Sequence, residues 1–309
     1  MAVADLLDLV GNTPLVELKH LSPKPGVRIF AKLEGQNPTG SIKDRIALGL
    51  VEAAERSGKI KPGDTIIEAS SGNTAIALAF VAKQRGYRVR VVLPPAIAPS
   101  IRDVLALYDV EITWTEEGAG MTEAIDLTRR IAEAEGLHPL GQFDNPENVE
   151  IHYRTTGAEI ARDLPHVDLL VAGIGTSGTI MGVGRRLREL SPGVQLIGIE
   201  PKLGDRVMGL PSLEEGFMPP LLDLDKLDGR YLVDSAEAFR CVRDLARAEG
   251  IVAGVSSGAT LQGALRAAER LESGNIVVIF ADGGWKYLPS RPWEAADRGD
   301  AALDDIHWW

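Results

Sequence analysis

From residue 65 onward, short apolar runs alternate with stretches in which apolar positions recur at helical spacing. The apolar runs fall at 65–69, 89–93, 111–115, 168–174, 195–199 and 275–281 and predict strands. Helical spacing predicts helices over 74–85, 101–107, 121–134 and 259–271. Runs that are apolar throughout, joined by helices, predict parallel sheets with helices on both faces, an α/β fold. Ahead of this region, 11–18 reads as a turn and strand, and 28–33 as a second strand. Ligands in such folds gather at the carboxyl ends of strands, so the strand-to-helix turns are where chemistry is expected.

The first such stretch is N-P-T-G-S-I-K-D-R at 37–45. Pro38 and Gly40 mark a turn, and Ser41 with Asp44 three residues later predicts a capping box. The helix that follows carries Ile46, Leu50 and Ala53 on one face. Lys43 falls in its first turn, where the helix dipole disfavours a cation. Burial there makes the neutral amine more available, which a Schiff-base lysine needs. The plain alternative is a solvated lysine at a helix start.

Three later turns stand out. S-S-G-N-T-A at 70–75 offers backbone N–H groups for a carboxylate or phosphate, with Asn73 adding an amide; simple capping is the alternative. G-T-S-G-T at 175–179 combines two glycines, three hydroxyls and a helix start near 180. It has neither the lysine of a nucleoside-triphosphate loop nor G-x-G-x-x-G, so a single phosphate fits better than a diphosphate. A glycine-rich packing turn is the alternative. G-V-S-S-G-A at 254–259 leads into the last predicted helix and alone reads as capping. Gln142 lies in G-Q-F-D-N-P-E-N, and His152 reads as structural. No metal-ligand spacing is present, so no metal is expected.

The 309 residues are 45% hydrophobic and 25% charged, which suits about two globular domains. A net charge of −11 argues against a nucleic-acid surface. No apolar run reaches the roughly 18 residues of a membrane span, and the first residues lack a signal-peptide pattern, so a cytoplasmic protein is expected. The single cysteine, Cys241, lies in a helical pattern and reads as a core thiol. The terminal Trp308 and Trp309 are costly to leave in water, so the tail is expected to dock, folding toward the active-site mouth.

Taken in order, G-N-T-P-L, K-L-E-x-x-N-P-T-G-S-I-K-D-R, S-S-G-N-T, Q-F-x-N-P-x-N, H-Y-R-T-T-G, G-T-S-G-T and G-V-S-S-G-A resemble the cysteine synthase (O-acetylserine sulfhydrylase) family, pyridoxal 5'-phosphate enzymes of fold type II. The resemblance implies a tryptophan synthase β-like architecture of two three-layer domains with mostly parallel twisted sheets. Residues 1–38 and 148–309 would form the larger, cofactor-binding domain and 39–147 a smaller mobile domain that binds the substrate carboxylate. It implies that Lys43 carries the cofactor and shuttles the substrate α-proton, and that Gly175, Thr176, Ser177, Gly178 and Thr179 cradle its phosphate. Ser256 would face the pyridine nitrogen and Asn73 the ring hydroxyl. Ser70, Ser71, Asn73, Thr74 and Gln142 would hold the amino-acid carboxylate. The implied reaction is β-replacement on O-acetyl-L-serine by sulfide or another sulfur donor, through an aminoacrylate, giving L-cysteine. A homodimer is implied as well.

The family's T-S-G-N-T-G becomes S-S-G-N-T-A, with Ser70 keeping a hydroxyl and Ala75 adding a methyl. The D-G-G-W-K-Y-L run at 282–288 resembles the B-type branch, including forms that take O-phospho-L-serine and a protein thiocarboxylate. Where those forms place an arginine, this chain has Pro211, with Arg206 close by, which favours O-acetylserine. The alternatives are a serine dehydratase-like enzyme (such enzymes carry histidine where Thr74 stands), a cystathionine β-synthase-like enzyme accepting homocysteine, and a weakened homologue acting as a regulatory binding partner.

Overall fold

A computed structural model describes residues 3–288, except 71, 96, 98 and 206. Its strands are β1 (Leu15–Glu17), β2 (Val27–Leu33), β3 (Thr65–Ala69), β4 (Arg88–Leu93), β5 (Glu111–Trp114), β6 (His138–Pro139), β7 (Leu169–Gly173), β8 (Gln195–Pro201), β9 (Gly229–Val233) and β10 (Gly274–Phe280). The α-helices are α1 (Lys43–Arg56), α2 (Asn73–Arg85), α3 (Pro99–Leu107), α4 (Met121–Glu135), α5 (Glu147–His152), α6 (Ala158–Asp163), α7 (Gly178–Leu190), α8 (Ser235–Glu249) and α9 (Val255–Arg270). A π-helical turn, Tyr153–Gly157, joins α5 to α6.

Two sheets form. The larger has the order β1-β2-β10-β7-β8-β9, parallel except for β1, which runs antiparallel to β2. The smaller has the order β5-β4-β3-β6 and is parallel throughout. Strand β10 shows why its sequence is apolar throughout. Ile276, Val278 and Phe280 face a core shared with α8 and α9, while Val277 and Ile279 face one shared with α7. Each of these side chains, fully buried, contributes roughly 1.5–3 kcal/mol. In the small sheet Ile66 packs toward α1 and α2, and Ile67 and Ala69 toward α4. Both sheets are therefore covered on both faces, as the apolar runs predict.

Two strands were not predicted. β9 is an edge strand whose exposure alternates, so it has no continuous apolar run, and β6 is only two residues long. The start of α9 is a correction: the helix begins at Val255, not near 259, so Ser256 lies inside its first turn. Cys241 is buried among the side chains of the large core, as its helical pattern predicts. No helix among the described residues is long and apolar enough to cross a membrane. The Trp308–Trp309 tail lies outside the described residues.

Candidate active site

The carboxyl ends of the two sheets face a common cleft of about 1240 Å³. Lys43, Ser70, Asn73, Thr74, Gln142, Gly175, Thr176, Ser177, Thr179 and Ser256 all line it. Gly178 lies just behind, at the start of α7. Ser71 and Arg206 lie outside the described residues.

Helix α1 begins at Lys43 itself, but the predicted capping box does not form as drawn. Ser41 Oγ accepts from the Lys43 N–H at 3.3 Å, whereas the Asp44 carboxylate turns back to Thr39, accepting from its N–H at 2.7 Å and from its hydroxyl. The turn before the helix thus holds Asp44 through both the N–H and the hydroxyl of Thr39. Burial holds the Lys43 amine down to about 8, against the upward pull of Asp282. A large share of Lys43 is therefore neutral near pH 8, which is what a Schiff-base lysine requires.

Across the cleft, the 175–179 turn meets the first turn of α7. Ser177 has φ +69°, and its left-handed backbone places the following N–H groups in an anion-binding concavity. Those first helical N–H groups have no partner within the helix. Ser177 Oγ is buried with no hydrogen-bond partner among the described residues, and Thr179 Oγ1 lies 3.2 Å from His152 Nε2. His152 is fully buried and contacts Thr156 through Nδ1 at 2.9 Å. Burial first, then the charges of Arg45 and Lys43, push its pKa well below the usual range, so it is a neutral prop behind the cup.

The other side of the cleft, around Ser70, Thr74 and Gln142, is tied together by its own hydrogen bonds. Gln142 Nε2 donates to the Ala69 carbonyl at 2.7 Å and Oε1 accepts from the Thr74 hydroxyl at 2.7 Å. Ser70 Oγ accepts from the N–H groups of Gly72 and Ala75 at 3.2 and 3.1 Å, so Ser70 caps α2. The extra methyl of Ala75 is fully buried inside the small core and lies away from the cleft lining.

Four residues without a sequence-derived role complete the frame. Asn148 Nδ2 donates both to the Gln142 carbonyl at 2.7 Å and to Thr176 Oγ1 at 2.9 Å, joining the two sides. It stands in the G-Q-F-D-N-P-E-N stretch, whose second asparagine was the available signal. The Glu68 carboxylate accepts from the Gly141 and Gln142 N–H groups, and burial raises it to about 7. Asp282 and Lys286 lie just past β10, at the carboxyl end of a central parallel strand, the position where ligands gather.

Residues 6–282 match the family described as pyridoxal-phosphate dependent enzyme. The chain is 41% identical to cysteine synthase B of Salmonella typhimurium over 280 residues, covering 90% of this chain and 92% of that one. The chain belongs to the cysteine synthase family of pyridoxal-phosphate dependent enzymes. Among solved structures, O-ureido-L-serine synthase superposes with a TM-score of 0.90 at 35% identity, covering 98% of this chain and 100% of that one. The cysteine synthase of Entamoeba histolytica gives 0.89 at 31% identity, covering 99% and 95%.

The family's cofactor fits the residues present. Ser177 Oγ, buried and unpartnered among the described residues, stands beside the first N–H groups of α7, which have no partner within the helix, and a phosphate offers acceptors to both. Gly178 lets Asn148 pack directly behind the turn, since a Cβ on it would lie 2.0 Å from Asn148 Oδ1. Lys43 faces the same cleft, as the family's Schiff-base chemistry requires.

Proposed function

We propose that the protein makes L-cysteine by β-replacement on O-acetyl-L-serine, with sulfide or another small sulfur donor as nucleophile. The observation that carries this reading is the joint placement of a lysine held down to about 8, a turn of hydroxyls and glycines at a helix start, and a hydrogen-bonded amide and hydroxyl pair on one cleft. The bound cofactor supplies the electron sink for charge at the substrate α-carbon. Lys43 Nζ would hold the cofactor, and its amine would take the substrate α-proton and return it at the end. Gly175, Thr176, Ser177, Gly178 and Thr179 hold the phosphate. Ser256 offers the pyridine nitrogen a neutral hydroxyl, and Asn73 offers an N–H to the ring oxygen. Ser70, Ser71, Asn73, Thr74 and Gln142 receive the substrate carboxylate. The unit 39–147, which carries these groups, closes on it toward 1–38 and 148–309 and excludes water.

O-Acetylserine is preferred over O-phosphoserine because Met208, Leu210 and Pro211 give one wall of the cleft an apolar surface, which suits an acetyl group better than a phosphate. The protein works as a cytoplasmic homodimer on this reading. The test is to supply sulfide with each serine ester and measure L-cysteine together with released acetate or phosphate. Cysteine from O-acetylserine with stoichiometric acetate is expected. Faster phosphate release would reassign the substrate, and pyruvate without cysteine would make the protein a dehydratase.

A further inference from the structure

The side-chain amide of Asn73, first residue of α2, is held at both ends by the segment that follows β10. Lys286 Nζ donates to Asn73 Oδ1 at 2.6 Å, and Asn73 Nδ2 donates to Asp282 Oδ2 at 2.8 Å. The same carboxylate oxygen accepts from the Tyr287 hydroxyl, while Asp282 Oδ1 is buried without a partner among the described residues. Asp282 is 2% exposed and Lys286 8%.

The segment carrying both is stitched to the turn before Lys43. The Ile42 N–H donates to the Ala281 carbonyl at 2.8 Å, and the Gly283 N–H to the Gly40 carbonyl at 3.1 Å. Asn73 comes from the small sheet's unit, whereas Asp282 and Lys286 follow the central strand of the large sheet. The contact therefore crosses the cleft's inner wall.

An asparagine amide is nearly symmetric in shape, and its two orientations differ only in which end donates. A cation at one end and a carboxylate at the other remove that ambiguity. A flipped amide would set N–H groups against an ammonium and a carbonyl against a carboxylate. We propose that Lys286 and Asp282 are positioning residues that lock the Asn73 amide in one orientation at the cleft, with Oδ1 toward Lys286 and Nδ2 toward Asp282. This rests on the reading of Asn73 as the donor to the cofactor's ring oxygen. The clamp also explains why two ionisable groups are buried at a strand end with the amide between them: charge here sets a direction, which packing alone does not.

The test titrates pyridoxal phosphate into the full-length apoprotein, following tryptophan emission and cofactor absorbance. The proteins compared are the parent, Asn73→Ala, Lys286→Met, Lys286→Arg and the Asn73→Ala/Lys286→Met double variant. Asn73→Ala and Lys286→Met should each weaken binding about tenfold and shift the absorbance maximum in the same direction. The double variant should be no weaker than either single one, since both remove one interaction. Lys286→Arg should restore binding and spectrum. Losses that multiply in the double variant would overturn the inference and leave Asn73's own role standing. So would an Asn73→Ala loss with parental binding in Lys286→Met. Parental binding in Asn73→Ala would overturn both the reading of Asn73 and the clamp. If Lys286→Met fails to fold, Asp282→Asn replaces it in the same comparison, with the same expected loss.

Discussion

Replacing Arg45 by methionine should destabilise the protein by about 3–5 kcal/mol at pH 7, the cost of breaking a buried ion pair from one side. Arg45 lies two residues past Lys43 on α1, and its side chain is 1% exposed. It donates to Glu34 from Nε at 2.7 Å and from Nη2 at 2.9 Å, and to Glu159 from Nη1 at 2.6 Å and from Nη2 at 2.8 Å. Lys32 on β2 adds a second cation, donating to Glu159 at 2.7 Å. Two cations thus face two carboxylates, and the cluster anchors the start of the lysine helix to the large sheet. Arg45→Met leaves the pocket with one uncompensated negative charge.

The pH dependence gives the decisive readout. Burial alone would raise the Glu159 carboxyl, but Arg45 and then Lys32 pull it down to about 2, from an ordinary 4.5. A folded pKa below the unfolded one gives stability that is fully present above about 4.5 and lost as the pH falls through about 2. That gap corresponds to about 3 kcal/mol. Urea unfolding of the apoprotein, followed by circular dichroism from pH 7 to 3, should show Arg45→Met far below the parent at pH 7. The difference should narrow toward pH 3, as Glu159 protonates in the variant. Arg45→Met/Glu159→Gln restores neutrality and should recover part of the loss. A deficit under about 1 kcal/mol at pH 7, or one of constant size across the pH range, would refute the electrostatic account.

This cluster shows where sequence reading stops. Lys32, Glu34, Arg45 and Glu159 are scattered over β2, the turn after it, α1 and α6, and no local pattern pairs residues up to 127 positions apart. Burial of a lysine on a strand looks, in sequence, like an exposed position. The strands and helices were legible because an interior parallel strand must be apolar on both faces, and β10 and β7 are. β9 was not, because an edge strand need not be. The turns at 70–75 and 175–179 were legible as cleft-lining turns because hydroxyls, glycines and a helix start in one short run mark a strand-to-helix turn. Asp282 and Lys286 were not, although their run was noticed. Their partner Asn73 lies more than 200 positions earlier, and only the meeting of the two sheets brings them together.

In the apoprotein, acylation of Lys43 by acetic anhydride, read by mass spectrometry, should have its pH midpoint near 8, where an ordinary lysine would be on the order of a hundredfold less reactive. A midpoint above 10 would remove the basis for its special reactivity. Cys241, with burial pushing its thiol up to about 12, should resist thiol reagents at pH 7 until the protein unfolds. Gln142→Ala should raise KM for the amino-acid substrate about tenfold or more, with a smaller change in kcat, if its amide holds the carboxylate. Gly178→Ala tests the coupling of the two sides of the cleft. The new Cβ would sit 2.0 Å from Asn148 Oδ1 and 2.9 Å from its carbonyl oxygen, too close for either to remain. Asn148 is fully buried, so it has nowhere to retreat without releasing Thr176 and the Gln142 carbonyl. One methyl behind the phosphate cup should therefore weaken cofactor binding and also loosen the carboxylate side. Both losses should appear together, as weaker cofactor titration of the apoprotein and as faster amide exchange at Gln142 by hydrogen–deuterium mass spectrometry. Loss of cofactor affinity with unchanged exchange at Gln142 would show that Asn148 does not connect them.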